Sequence, residues 1–276
     1  MAENEVKYQV RISDEYVEKD MNGASKSLEK SSSKFQGVGK KIGLAVGVSL
    51  ATVATGAVAI ATKATASAND MEKAMDGFIA STGKGVSETK RYQAVLGNIY
   101  KNNYGESFED IAGSMALVNQ QMGNLSDEQL QKTTEHAYLL NDTFGIDINE
   151  SLRSVNSMMK QFGITSEQAY NLLAQGAQNG LNQNGDLADQ LSEYSVYYND
   201  MGFSAEETMN IIAAGAKDGA FQIDYLNDAI KEFGIRSKDG SKGTISAFTT
   251  LGLDAGNMTK KFAEGGAGAK KAFEEV

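Results

Sequence analysis

A chain of 276 residues and 29.5 kDa has room for one large folded unit or two smaller ones, at about 100–200 residues per domain, and can bury a sizeable core. With 41% hydrophobic and 22% charged residues it has the make-up of a globular protein, and the absence of Cys, Pro and Trp excludes disulfides, thiolate metal sites and cysteine nucleophiles while leaving helices free of proline breaks. A net charge of −10 argues against broad contact with phosphate backbones, so no direct sequence-specific binding of nucleic acid is expected.

Taken from the N-terminus, Val6, Tyr8, Val10 and Ile12 alternate with Lys7, Gln9 and Arg11, the two-residue period of a short half-buried strand. From Asp14 the period changes. Met21, Leu28, Phe35 and Ile42 recur every seven residues, with small or Val residues at Ala24, Ser31, Val38 and Ala45 between them, a weak seam compatible with a coiled coil or an ordinary amphipathic helix. Residues 1–41 are read as this strand followed by a basic helix.

The segment from Ile42 to Thr62 carries no charge in 21 residues. As a helix it would be about 31 Å long, enough to cross a bilayer core of about 30 Å. It is only weakly apolar: Ala, Gly, Ser and Thr supply 13 of the 21 residues, and Val, Leu and Ile the other 8. Small residues fall on one stripe, Gly43, Gly47, Ala51, Thr55 and Ala59, the spacing that lets helix backbones approach closely. Lys40, Lys41 and Lys63 flank it and suit headgroups at both ends, which gives no orientation by the positive-inside rule. The surroundings from Met21 to Lys63 are basic, with six lysines against the single Glu29. A permanent anchor, a helix buried in a protein assembly and a helix that enters membrane at one stage all fit. The latter two are favoured because small residues reduce the gain from lipid burial.

After residue 67 the pattern is that of amphipathic helices broken by glycine. Ser87, Ser107, Ser126, Thr165 and Ser204 stand before helix-forming runs, and the pairs Ser126/Gln129 and Ser204/Glu207 have capping-box spacing. Ile111, Met115 and Val118, then Leu152, Val155, Met158 and Met159, have the spacing of one helix face. Sliding the chain by 39 residues lays Gly163 to Gly180 over Gly202 to Gly219 with seven identities in eighteen positions, among them Glu167/Glu206, Asn171/Asn210 and Gly176/Gly215. The match runs on through Leu187/Leu226, Asp189/Asp228, Leu191/Ile230 and Glu193/Glu232. Each copy reads as a helical hairpin. Two copies are fewer than a solenoid needs, so a compact bundle is expected. The expected architecture is all-α: the N-terminal strand and long N-terminal helices, an apolar small-residue helix over 42–67, a core of capped hairpins over 68–240, and a truncated helical hairpin over 241–276.

Reactive chemistry finds little support. His136 is the sole histidine and reads as one position of a capped helix rather than a metal ligand or general base. The glycine runs at 83–90 and 239–246 lack the spacing of a phosphate loop and read as turns. Asn182, Asn184, Asp186 and Glu193 sit at calcium-loop positions, but Leu187 stands where the sharp turn needs Gly, so a turn and helix cap are expected. Glu106 and Asp110 offer two carboxylates with nothing to set them apart from a solvated helix face. Met158, Met159, Tyr194, Tyr197 and Tyr198 read as core or interface. No catalytic residue, metal or cofactor is expected.

The ordered series of a short strand, a basic helix, an uncharged Gly/Ala-rich helix, ANDMEKAMDGFIASTG (68–83) and hairpins of the form FGITSEQAYNLLAQGAQNG (162–180) resembles the N-terminal and core region of phage tail tape measure proteins. The openings GITSEQA and GFSAEET resemble that family's helix starts, and LGLDAGNMTKKFAEGGA (251–267) a unit that often follows them. The resemblance implies a non-enzymatic protein that lies along the tail lumen during assembly, sets tail length and leaves with or ahead of the DNA. The partners expected are other copies of itself, tail tube and tail assembly chaperone proteins, and the basic-flanked helix over 42–62 is expected to pack against other copies or to cross the host membrane during DNA ejection. A continuous helix, at about 1.5 Å per residue, is a natural ruler. Members are usually longer, so a fragment is expected, or a member lacking a coiled rod and any wall-degrading module. A secreted pore-forming protein and a tail-associated muralytic enzyme stand as alternatives.

Overall fold

In the computed structural model the residues described are 68–123, 125–217 and 222–276, and all their regular structure is helical. The strand at 6–12, the heptads and the Ile42–Thr62 segment lie outside them. The helices are α1 (Ala68–Thr82), α2 (Thr89–Lys101), α3 (Phe108–Met122), α4 (Asp127–Phe144), α5 (Ile148–Phe162) and α6 (Ser166–Gln178), then α7 (Leu187–Asp200), α8 (Ala205–Lys217), α9 (Ile223–Arg236), α10 (Lys242–Thr250), α11 (Ala255–Glu264) and α12 (Gly266–Glu275). A 3-10 turn, Val86–Glu88, precedes α2.

Most helix starts are written in the side chains. Ser107 accepts from the Asp110 amide at 3.1 Å and Asp147 from that of Glu150 at 3.1 Å, each satisfying an amide that the helix leaves without a partner. Ser126 with Gln129, Thr165 with Gln168 and Ser204 with Glu207 form reciprocal capping boxes. Ser87 departs from expectation. It lies inside the 3-10 turn, and α2 starts behind Glu88 with no side-chain cap. Gly145 and Gly163 end α4 and α5 with φ of 69° and 67°, a left-handed conformation in which a Cβ would be strained.

Stacking follows from the position of the caps. Ser126, Thr165 and Ser204 are each 39 residues apart, and so are the triplets Ile148/Leu187/Leu226 and Leu152/Leu191/Ile230. Equivalent side chains therefore meet the same surroundings in successive hairpins. Helices α1, α3, α5, α7 and α9 pack each on the next in one row, and α2, α4, α6 and α8 do so in a second. The sequence repeat displays two copies and suggests a bundle. The structure instead carries a serial stack, because burial requires an apolar side chain at each equivalent position rather than an identical one.

The repeated Gly also has a specific partner. A Cβ on Gly176 would lie 2.9 Å from Leu187 Cδ2, and one on Gly215 would lie 2.5 Å from Leu226 Cδ2. In both copies a leucine of the following helix lies in the space that glycine leaves open, and at Gly176 Met209 Cε comes closer still, 2.6 Å from where the Cβ would lie. Ala137 stands 39 residues before Gly176 and is fully buried.

Two apolar clusters run through the stack. One joins Met75, Phe78, Leu96, Ile99, Ile111 and Met115 of α1–α3, all at most 1% exposed, to Leu130, Tyr138 and Leu152. The other spans α4 to α12 and includes Val155, Tyr170, Leu173, Leu187, Tyr198 and Phe262. The C-terminal segment, expected as a hairpin, is three short helices because Gly252 and the Gly265–Gly266 pair interrupt it at positive φ.

Candidate functional site

The densest polar organisation lies between α7 and α9. Tyr198 Oη donates to Asn227 Oδ1 at 2.8 Å, Asn227 Nδ2 to Gln190 Oε1 at 2.9 Å, and Gln190 Nε2 to Asp224 Oδ1 at 3.0 Å. Gln190, Tyr198 and Asn227 are all buried, so each bond removes a desolvation cost that an unpaired amide or hydroxyl would carry. Closer to solvent, Tyr194 Oη donates to Asp228 Oδ1 at 2.7 Å. Lys231 Nζ donates to Glu193 Oε1 at 3.2 Å and stands over the rings of Tyr194 and Tyr197 at 5.2 and 5.5 Å.

The same step links other layers. Arg153 pairs with Asp189, Lys238 with Asp200, Arg91 with Asp127, and Asn102 donates to Glu135 at 2.8 Å. These partners are 33 to 38 residues apart, close to one repeat, so the polar contacts form a ladder across neighbouring helices of each row. Exposed pairs of this kind contribute little stability each. The sequence displayed the repeated Asp189/Asp228 and Glu193/Glu232 but not their partners. Opposite charges at nearly one repeat length, as in Arg153/Asp189 and Glu193/Lys231, were the signal available.

Tyr194 and Tyr198 remain protonated donors. Burial, together with the hydrogen bond to Asp228, pushes Tyr194 upward, and burial raises Tyr198. Glu193 is committed to Lys231, and Asn182 Oδ1 accepts from the Leu187 amide at 3.2 Å at the start of α7. The calcium-like spacing is thus a turn with a helix cap. Asp110 Oδ2 accepts from the Glu106 amide at 2.9 Å in the cap of α3, and Asp239 holds Ser241 and Thr244 at the start of α10. Met158 is fully buried and Met159 half-buried against the core.

His136 lies edge-on to the Tyr170 ring with centroids 5.4 Å apart. Burial, with a smaller contribution from Lys132, lowers its pKa to about 4, so near neutral pH it is an uncharged packing group between α4 and α6. A shallow groove of about 220 Å³ opens beside Val196, Tyr197, Gly234 and Ile235. Among the described residues no group of three His, Cys, Asp or Glu is placed to hold a metal ion, and no helix is long and apolar enough to cross a membrane. The stripe Gly43, Gly47, Ala51, Thr55 and Ala59 and its lysines Lys40, Lys41 and Lys63 lie outside the described residues.

A stack of capped hairpins held by packing and polar register contacts is a scaffold, and comparison with known proteins agrees. The profile of the family described as "Phage-related minor tail protein" matches residues 100–276. The chain belongs to that family. Its tail proteins are structural, not enzymes, which sets aside the muralytic reading and places the protein in the virion tail. The chain is also similar to the "Probable tape measure protein" of Streptomyces phage phiC31, 39% identical over 150 residues, 54% of this chain and 20% of the relative. The aligned part thus spans about a fifth of that relative's length. No solved structure matches. The family match includes the α7–α9 ladder and all of α10–α12.

Proposed function

We propose that this protein acts as a tape measure component of the tail, lying in the lumen during assembly and helping to set tail length. The observation that carries the reading is the 39% identity to a probable tape measure protein across more than half of the chain. The partners that suit such a role are other copies of the chain, tail tube subunits and tail assembly chaperones. Its net charge of −10 fits protein partners better than DNA. A stop codon at Met71 in the phage that encodes it should abolish tails or make their lengths irregular in electron micrographs. Tails of normal, uniform length would refute the role.

A second element of the proposal concerns Ile42 to Thr62, whose uncharged run and flanking lysines suit passage through the host membrane at DNA ejection or packing against other copies. A peptide spanning Lys40 to Lys63 should bind anionic liposomes and release a trapped dye, and its Gly47→Leu variant should change the leakage. No response from either peptide would remove the membrane element and leave the tail role standing.

A further inference from the structure

A ruler made of continuous helix converts residues into length at about 1.5 Å each, which would give roughly 310 Å for residues 68–276. The fold of this region obeys a different rule. Its helices lie side by side, so each added hairpin advances the stack by one interhelical distance of about 8–10 Å. Four such steps lead from α1 to α9, about 40 Å, and a compact chain of this size has a radius of gyration near 17 Å.

Within the described residues, each end of the stack covers the core of its neighbouring layers. Helix α1 turns Ala74, Met75 and Phe78 inward and exposes Glu72, Lys73, Asp76 and Gly77, the polar outer face of a terminal repeat. At the other end Phe233 of α9 packs against Phe262 of α11 and Phe273 of α12 at 5.3 and 5.2 Å. A Cβ on Gly202 would collide with the Gly266 backbone, which shows how closely α12 is seated on the α7–α8 turn. Tyr225, Ile235, Ile245 and Leu251 stay exposed at this end, outside the aromatic cluster.

The sequence also resists extension into one rod. Gly83, Gly145, Gly163 and Gly202 adopt positive φ between helices, so any continuous helix must run through residues suited to ending one. Drawing the region out would strip cover from Leu96, Ile111, Leu152, Tyr170 and Leu187, all at most 1% exposed, and return their apolar surface to water. A coiled coil of several copies could not restore that cover without an unbroken seam.

We infer that residues 68–276 enter the tail as a folded module whose contribution to length is set by helix layers and not by residue number. The inference rests on the tape measure reading of this chain and narrows it. If it holds, the linear ruler must be sought outside this region.

The absence of cysteine allows a direct test. Asp76→Cys and Lys242→Cys are surface positions on α1 and α10, 166 residues apart, and take donor and acceptor maleimide dyes in the full chain. Particles assembled with labelled protein should show the same energy transfer as the purified chain, whereas a continuous helix would place the dyes about 250 Å apart. Label in the tail with transfer lost overturns the module and leaves the tail role intact. Label absent from the tail overturns the location, and the inference with it. As a second readout, deleting residues 165–203 joins Ile164 to Ser204 and keeps the 39-residue register. Tails should then change by at most one layer, about 10 Å, and shortening by about 58 Å would show that these residues are measured as helix.

Discussion

The two ends of the stack close the same kind of core by different means. At the N-terminal end a 15-residue amphipathic helix, α1, packs on α3, buries Met75 and Phe78, the latter against Tyr92 of α2, and exposes Glu72, Lys73 and Asp76. At the C-terminal end three helices of 9, 10 and 10 residues, rich in glycine, are laid against the last layers. A long helix buries enough on its own face to end a stack. Short ones do so only with large aromatic side chains and close backbone contact, and here Phe203, Phe233, Phe248, Phe262 and Phe273 form one connected cluster.

The largest effect that can break this comparison is expected from truncating an aromatic at each end. Phe78→Ala and Phe262→Ala, at sites 1% and 2% exposed, should each cost about 3–5 kcal/mol in denaturant unfolding. Hydrogen exchange should separate them: Phe262→Ala should lose protection first in α10–α12, and Phe78→Ala in α1–α3. Equal loss throughout both variants would mean that the ends are not independent.

Gly202→Ala tests the close contact alone. The residue has φ of +83° and no room beside Gly266, so a cost of about 3 kcal/mol is expected, with loosening confined to the C-terminal cap. An unchanged denaturation midpoint would show that the cap tolerates displacement.

Acid should act between the two ends, on α4, where neighbouring residues Ala137 and Tyr138 belong to different clusters. His136 has a pKa of about 4 when folded against about 6.5 unfolded, so between these values the unfolded chain binds more protons. Its contribution is complete above pH 6.5 and is lost as pH falls to 4, by at most about 3 kcal/mol, levelling off below. Glu135 and Asp186, both raised by burial, act in the opposite direction over the carboxylate range. The comparison to make is therefore the pH dependence of wild type minus that of His136→Gln, and parallel curves would discount the histidine.

The smallest effect is expected from the polar register. Asn227→Ala leaves the Tyr198 hydroxyl and Gln190 without their buried partner and should cost about 1–2 kcal/mol, localised to α7–α9. A matching loss in the distant α1–α3 cluster would contradict a ladder acting layer by layer.

Much of the helical pattern was legible beforehand because its causes are local. A Ser or Thr three residues before Gln or Glu, an apolar side chain every third or fourth position and a glycine after the last turn act within one or two turns of chain, as at Ser126, Thr165 and Ser204. Ser87 misled because an isolated cap residue cannot distinguish a helix start from a 3-10 turn. The repeat was visible only where identities survived. The third copy, with Ile148 and Leu152 at the positions of Leu187 and Leu191, was hidden because burial asks for volume and polarity and accepts several side chains. The candidate membrane stripe rests on composition alone and lies outside the described residues.

By itself, then, the sequence determined helix, caps, the 39-residue step and the exclusion of cysteine chemistry, since each depends on residues close together along the chain. Only the tertiary structure decided that the hairpins stack in two rows, that Lys231 meets Glu193 and Asn227 meets Gln190 and Tyr198, and that Gly202 must be glycine because of Gly266. Those facts arise where surfaces distant in sequence compete to be buried together, and a choice among such partners is made by the whole fold at once.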